Sequence, residues 1–359
     1  MFRTLDRYII RQFLGTFFFI LVIIMAIAVV FDFSEKTDDF AKMKAGAWEV
    51  ISEYYLNFVI YYSNLFSGLL IFLAVLLFTS RLAHRTEVVA MLSSGVSFPR
   101  IMWPYFLAAT FLTGLSLVTN HIVLPRANTV RLAFEEEHIR NTFRVDATHI
   151  HREIAPGVIA YFESFSAEHG TGQRFSLEHW EEDRLVKKLT SDRARFDTIT
   201  GRWHVHDVVI RIIHDEHETI QRAAELDTLI PLRPSDVGQR WETSMAMSWS
   251  DLNDYITTKQ AQGDANLMPY RIEKHQRTSY PFATYVFTII GVSIASRKTR
   301  GGTGAHLAVG VLLALLYIFA MKLTTVASTN AGLDPFIAVW LPNLLFGAVG
   351  ILIYRNAPK

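Results

Sequence analysis

The chain of 359 residues carries 35 Lys and Arg against 34 Asp and Glu, and half of its residues are hydrophobic. A balance this close to neutral leaves no electrostatic footprint for nucleic acid, so no nucleic-acid partner is expected. The absence of cysteine excludes disulfides, thiolate catalysis and cysteine-held metals.

At the N-terminus, Phe2, Leu5, Tyr8, Ile9 and Phe13 share one helical face, with Arg3, Asp6, Arg7 and Arg11 opposite. That is the pattern of an interfacial helix running into a span. The apolar run over 14–31 follows. Ala26-Ile27-Ala28 has the form of a signal-peptidase site, but the run continues through Phe31 and exceeds a signal-peptide core, so the segment reads as retained. Further runs without Asp, Glu, Lys or Arg cover 54–80, 101–120, 278–296, 305–321 and 335–354. About 20 apolar residues cross the hydrocarbon core as a helix, and in lipid the backbone must satisfy its own hydrogen bonds. Six transmembrane helices are therefore expected, three on each side of a polar block over 124–277.

Basic residues cluster in the N-terminus (Arg3, Arg7, Arg11), the second loop (Arg81, Arg85, Arg100), the fourth loop (Arg297, Lys298, Arg300) and the C-terminus (Arg355, Lys359). All four fall on one side if both termini are cytoplasmic, which places the polar block outside the cytoplasm.

The polar block reads mainly as strands. Arg174 to Glu178 alternates in polarity, and 158–165, 185–196 and 203–213 are rich in β-branched and aromatic residues. Residues 197–201 suit a hairpin turn. Short strands without intervening helices imply an all-β sandwich or jelly roll. Pro231 and Pro234 end the pattern. Ser250 reads as the N-cap of a helix carrying Leu252, Tyr255 and Ile256 on one face and stopped by Gly263, and an amphipathic stretch over 270–277 feeds the fourth span. The expected organisation is residues 1–123 as three spans, 124–248 as the extracytoplasmic β-jelly-roll domain, 249–277 as a helical connector and 278–359 as three spans.

Enzymatic motifs are missing. Gly301-Gly-Thr-Gly304 lacks the spacing and Lys of a P-loop, and there is no G-x-S-x-G and no H-E-x-x-H. His149 with His151, and His204 with His206, form i, i+2 pairs that share a face on a strand. Without a supporting carboxylate spacing they read as solvated strand residues; no metal and no cofactor are expected.

The second loop is the sharpest local signal. From Arg81 to Gly95 it forms a short amphipathic helix with a glycine stop, in which Val88, Met91 and Leu92 make an apolar stripe beside Arg85 and Glu87. Two readings stand: a helix lying among lipid headgroups, or one that docks in a groove of a cytoplasmic partner.

At these residues the chain resembles a known family. Leu5-Asp-Arg-Tyr-Ile9, Arg85-Thr-Glu-Val-Val-Ala-Met91 with Ser94-Gly95, Ala194-Arg-Phe-Asp197 with Gly201-Arg-Trp203, Asp251-Leu-Asn-Asp-Tyr-Ile256, Tyr280-Pro-Phe-Ala283 and Leu341-Pro-Asn343 are similar to the LptF/LptG permeases of lipopolysaccharide export. The resemblance covers essentially the whole chain. It implies an inner-membrane permease that is not itself an enzyme, paired with a paralogous LptF/LptG-type subunit and driven by an LptB-like cytoplasmic ATPase dimer. It also implies that the helix over 85–94 docks on that ATPase, with Glu87 at the family's acidic position. The β-domain would join LptC/LptA-like periplasmic β-jelly-roll proteins in a bridge toward the outer membrane.

Lipopolysaccharide, with anionic phosphates and several acyl chains, calls for cations near the outer bilayer surface above an apolar cavity. Candidates are Lys36, Lys42 and Lys44 after the first span, Arg126 and Arg131 after the third, and Lys322 late in the fifth. Glu35, Asp38 and Asp39 sit beside the lysines. Lys322 either snorkels to headgroups or faces a phosphate; the family uses the first and fifth spans as lateral gates. Two other readings are a permease of another ABC system, such as lipoprotein release or mechanotransmission, and a membrane-anchored scaffold that binds a periplasmic partner by strand addition.

Overall fold

The computed structural model describes residues 4–43, 45–139, 146–166, 170–182, 184–198, 200–214, 217–232, 243–261, 267–297 and 302–357. Arg3, Lys44, Pro234, Gly263, Lys298, Arg300, Gly301 and Lys359 lie outside them. The chain divides into two compact units. One joins Met1–Arg131 to Met268–Lys359 and the other is Leu132–Leu267.

The first unit is helical. It comprises α1 (Thr4–Glu35), α2 (Thr37–Lys42), α3 (Ala47–Glu49), α4 (Leu56–His84), α5 (Glu87–Ser93), α6 (Phe98–Val118) and most of α7 (Leu124–Phe134). Beyond the β insertion, and numbered after the α8 and α9 it contains, come α10 (Met268–Ala295), α11 (Gly302–Ala331) and α12 (Pro335–Arg355). Six helical stretches are long and apolar enough to cross a membrane. The third does not stop at residue 120. A wider-wound turn over Thr119–Val123 carries it into α7, so the helical stretch continues unbroken past residue 120.

Helix α4 packs against α1, α10 and α11. One apolar cluster joins Ile9, Phe13, Phe78, Tyr105 and Val88; another joins Phe72, Leu76, Phe287, Ile290 and Tyr317. The two proline-bearing motifs meet inside the bundle. Tyr317 donates to Asn343 Oδ1 at 2.8 Å, and Asn343 Nδ2 donates to the Ser279 carbonyl at 2.9 Å. Three spans are thereby tied by a buried polar chain, the kind of link that lipid cannot replace.

The second unit contains one antiparallel sheet: β1 (Asp146–Ala155), β2 (Val158–Ser166), β3 (Thr171–Glu181), β4 (Arg184–Asp197), β5 (Arg202–Ile213) and β6 (Glu218–Thr228), paired in sequence order. Strands β2 to β5 answer the sequence pattern. The β4–β5 turn closes as expected, with Gly201 N–H donating to the Asp197 carbonyl at 2.8 Å and Gly201 at φ +69°. Trp203 on β5 lies 5.5 Å from Phe162 on β2. Three strand spacings would separate those rings by about 14 Å in a flat sheet. The sheet therefore curls over its own core of Ile150, Phe162, Phe165, Phe175, Leu189, Trp203 and Val205, and this curl gives the insertion its jelly-roll character.

A crease makes the curl. Pairs Thr148↔Ser164 and Ile150↔Phe162 set His149 opposite Glu163, and the flanking pairs on the other strands continue that row through Arg174, Asp192 and Asp207. His149, Arg174 and Asp207, one on every second strand, have φ of 54°, 47° and 53°. The inward parity changes there: Ala160 and Phe162 give way to Phe165, Leu189 to Ala194, and Trp203 and Val205 to Val208. Strands β2, β4 and β5 thus keep an apolar face inward on both sides of the bend.

The helix expected after the strands is α9 (Trp249–Ala261), preceded by the short α8 (Thr243–Ala246). Its cap is Ser248, whose Oγ accepts the Asp251 N–H at 3.2 Å, rather than Ser250. Leu252 and Ile256 are its buried face.

Candidate functional site

The loop that stood out in the sequence is two helices with a break. α4 runs on through Arg81 to His84, Thr86 turns left-handed at φ +61°, and α5 starts at Glu87. At the other end Gly95, φ +82°, closes α5: its N–H donates to the Leu92 carbonyl and that of Val96 to the Met91 carbonyl. That double bond is a Schellman cap, which needs a residue free to adopt positive φ. The result is a short rigid helix held by two sharp corners at one end of the bundle.

Helix α5 has two apolar sides. Val88 is 2% exposed within the chain's own helical core, and Met91 and Leu92 pack against the same cluster. The predicted stripe thus seats the helix on the bundle. The outward side carries Val89, Ala90 and Ser93, with Val89 52% exposed, and Arg85, the residue that ends α4, is exposed just before it. Glu87 stands at the edge between the sides and accepts a hydrogen bond from Tyr8 Oη at 3.3 Å. Asp6, almost fully buried, takes both arms of Arg100 at 2.6 and 2.9 Å.

By connectivity the candidate substrate cations lie at the opposite end of the bundle, and they differ in availability. Lys36 is engaged: its Nζ bonds Asp32 at 2.7 Å and the Tyr54 hydroxyl, and lies 4.6 Å over the Tyr54 ring. Arg131 is buried with its guanidinium 4.6 Å over Tyr61. Lys42 and Arg126 are exposed. Lys322 is exposed at the rim of a cavity of about 360 Å³ between α4, α10 and α11, lined below it by Phe66, Tyr280, Phe287, Tyr317 and Ile318. Of the five candidates among the described residues, Lys322 alone lines one of the described cavities.

Across the bundle, α1 and α11 keep wide apolar faces outward, including Phe19, Val22, Phe31, Leu312, Leu315 and Phe319. A family model for the lipopolysaccharide export system permease LptF/LptG matches residues 7–356. The chain belongs to the LptF/LptG family. No curated protein matches it. Membership makes it a multi-pass membrane protein of a lipopolysaccharide export permease family, a transporter subunit.

The histidine pairs of this LptF/LptG chain have protein partners. His149 Nδ1 lies 2.9 Å from Tyr161 Oη, His206 lies 3.2 Å from Glu225, and His204 sits between Asp227 at 2.5 Å and Asp197 at 3.6 Å. The Asp227 hydrogen bond chiefly raises the His204 pKa above the ordinary imidazole value, with Asp197 adding to it. No group of three metal-ligating side chains occurs among the described residues. On the polar face of the sheet, burial pushes the Glu178 carboxyl up, but hydrogen bonds from Lys188 and Trp180 outweigh it and hold the group low.

The sequence reading missed Asp6–Arg100, Asp32–Tyr54 and the outward role of Val89. Asp6 and Arg100 are 94 positions apart, and nothing in local spacing pairs them. Val89 was masked by the stronger stripe beside it.

Proposed function

We propose that this chain is the permease half-site of an ABC-type machine in which a separate cytoplasmic ATPase dimer drives lipopolysaccharide out of the inner membrane. The observation that carries this reading is the polarity of the helical bundle. A capped helix with an outward face of Val89 and Ala90, and Arg85 just before it, stands at one end, and Lys322 stands over an apolar cavity at the other. The basic-residue bias supports a cytoplasmic α5 and a periplasmic β-domain. A paralogous subunit would cover the apolar faces of α1 and α11, enclosing the lipid between the two. Closure of the ATPase would then push on α5, narrow the cavity and expel the lipid toward the β-domain.

In the β-domain, β6 supports the further partner. It is an outer strand of the sheet among the described residues, 11 residues long and largely exposed. Such an edge can accept a strand from an LptC/LptA-like protein.

The test is ATP-driven release of lipopolysaccharide from the complex reconstituted with its ATPase and paralogue. Wild type should release lipid only with hydrolysable ATP. Lys322→Glu should retain less lipopolysaccharide per complex, and Lys322→Arg should retain most of it, because a phosphate needs the charge. Equal retention in the Glu variant would remove Lys322 from the site; no ATP-dependent release from wild type would overturn the reading.

A further inference from the structure

Two stretches far apart in the chain meet at the α5 end of the bundle. Asp6 holds Arg100 through both guanidinium nitrogens, with the Asp6 side chain 4% exposed and that of Arg100 30% exposed. Two residues along α1, Tyr8 donates to Glu87, the first residue of α5. One residue further, Ile9 shares an apolar cluster with Val88 of α5 and Leu82 of α4. The start of α1 is therefore gripped at Glu87, the first residue of α5, and at Arg100 in the first turn of α6.

The middle of α1 is held far less, and its far end is tied again where the buried Tyr54 Oη donates to Asp32 at 2.9 Å. The buried residues of α1 are Asp6, Ile9, Phe13 and Phe17 in the first half and Met25 beyond, and 17% of its most apolar window is buried. A helix anchored near both ends and loosely packed between them can swing when one anchor is displaced. A buried ion pair is a poor source of stability, since desolvation offsets most of the attraction. It is a good source of fixed geometry, because a bidentate guanidinium–carboxylate pair permits one relative orientation, whereas apolar contact alone permits sliding.

We infer that Asp6, Arg100 and Tyr8 are positioning residues that clamp α1 to the docking helix α5 at Glu87 and to the start of α6 at Arg100, so that displacement of α5 carries α1 with it. The inference rests on the ATPase-docking reading above. Without the clamp, α5 would move α4 and α6, to which it is joined through the chain, and α1 would lag behind. Hydrolysis would continue while lipid release per ATP fell.

The experiment measures lipopolysaccharide released per ATP hydrolysed by the full complex in lipid nanodiscs. Asp6→Asn should still bind the ATPase and hydrolyse ATP, while the ratio falls about fivefold, the scale of a modest coupling energy. Tyr8→Phe, which removes one exposed hydroxyl and leaves the fold intact, should lower the ratio less. The chain has no cysteine, so Asp6→Cys with Arg100→Cys adds its only two thiols. Assembled complexes of that double variant should be poorly coupled as prepared and recover when a short bismaleimide bridges the pair. A purely structural ion pair would lower complex yield and leave the ratio untouched. A wild-type ratio in assembled Asp6→Asn, or in Tyr8→Phe should Asp6→Asn fail to assemble, overturns the clamp, as does a bridge that restores nothing. If the wild-type complex itself releases no lipid on hydrolysis, the permease reading fails with it; if it does and the variants match it, only the clamp fails.

Discussion

Helices α1 and α10 are both spans, yet they are built to opposite rules. The α1 stretch has the highest mean hydropathy of the six and only 17% of its apolar window buried; α10 has the lowest and 67% buried. In water the more apolar helix would be the inner one. In lipid the outer surface must be apolar all round, while the interior can use small and polar side chains to bring backbones together. α10 does this with Ser279, Thr284, Thr288, Gly291 and Ser293, all buried. α1 instead turns Phe19, Val22 and Phe31 outward. The first helix is made to be covered by lipid or another subunit, and the second to be packed by its own chain.

The largest effect should come from filling a close approach on α10. A Cβ on Gly291 would lie 2.7 Å from Val75 Cγ1 and 3.3 Å from Phe72. Gly291→Leu should therefore destabilise the bundle by about 3 kcal/mol or prevent its assembly, read as lost yield of monodisperse protein and a lowered unfolding midpoint. Next is the buried polar chain. Asn343→Leu removes both the acceptor of Tyr317 and the donor to Ser279, and about 1–2 kcal/mol should be lost in a denaturant titration in detergent. If that variant unfolds like wild type, polar links do not hold the inner spans and the contrast drawn here is wrong.

Outside the spans the expected effect is smaller and depends on pH. Because the folded pKa of His204 is raised, its pairing with Asp227 and Asp197 contributes fully below about pH 6.5, the unfolded value, and fades as pH rises through the folded one. Amide exchange in the β5–β6 hairpin should quicken relative to His204→Gln as pH goes from about 6 to 8; a constant ratio would contradict the pairing. The smallest effect belongs to α1. Phe19→Ala, at a side chain 67% exposed, should change the isolated chain's stability by less than about 0.5 kcal/mol. A larger loss would show that α1 is packed within its own chain after all.

The same contrast explains what could be read in advance. Spans are legible because lipid demands long apolar runs without regard to partners, and strands β2 to β5 because one face of each is buried against an apolar core. Strand β6 was missed because most of Glu218–Thr228 is exposed and carries no alternation. The third span ran past its expected end because Arg126 and Arg131 look like a loop until Arg131 is seen buried over Tyr61. At α5 the helix and its glycine stop were legible. Which of its sides is buried was not, since telling Val88 from Val89 requires knowing where the bundle lies. The crease in the sheet has no sequence signal, as His149, Arg174 and Asp207 are unremarkable for strands until their φ values are known.

The central claim is that a separate ATPase acts through the outward face of α5, and Val89 tests it most directly. Val89 is exposed where Val88 is not, so Val89→Asp should leave folding and membrane insertion unchanged while placing a charge in the partner's apolar groove. The measurement is the amount of ATPase co-purifying with the chain from native membranes in mild detergent. The account predicts stoichiometric ATPase with wild type and little or none with Val89→Asp at equal permease yield. Equal ATPase with both, or none with wild type, would contradict it.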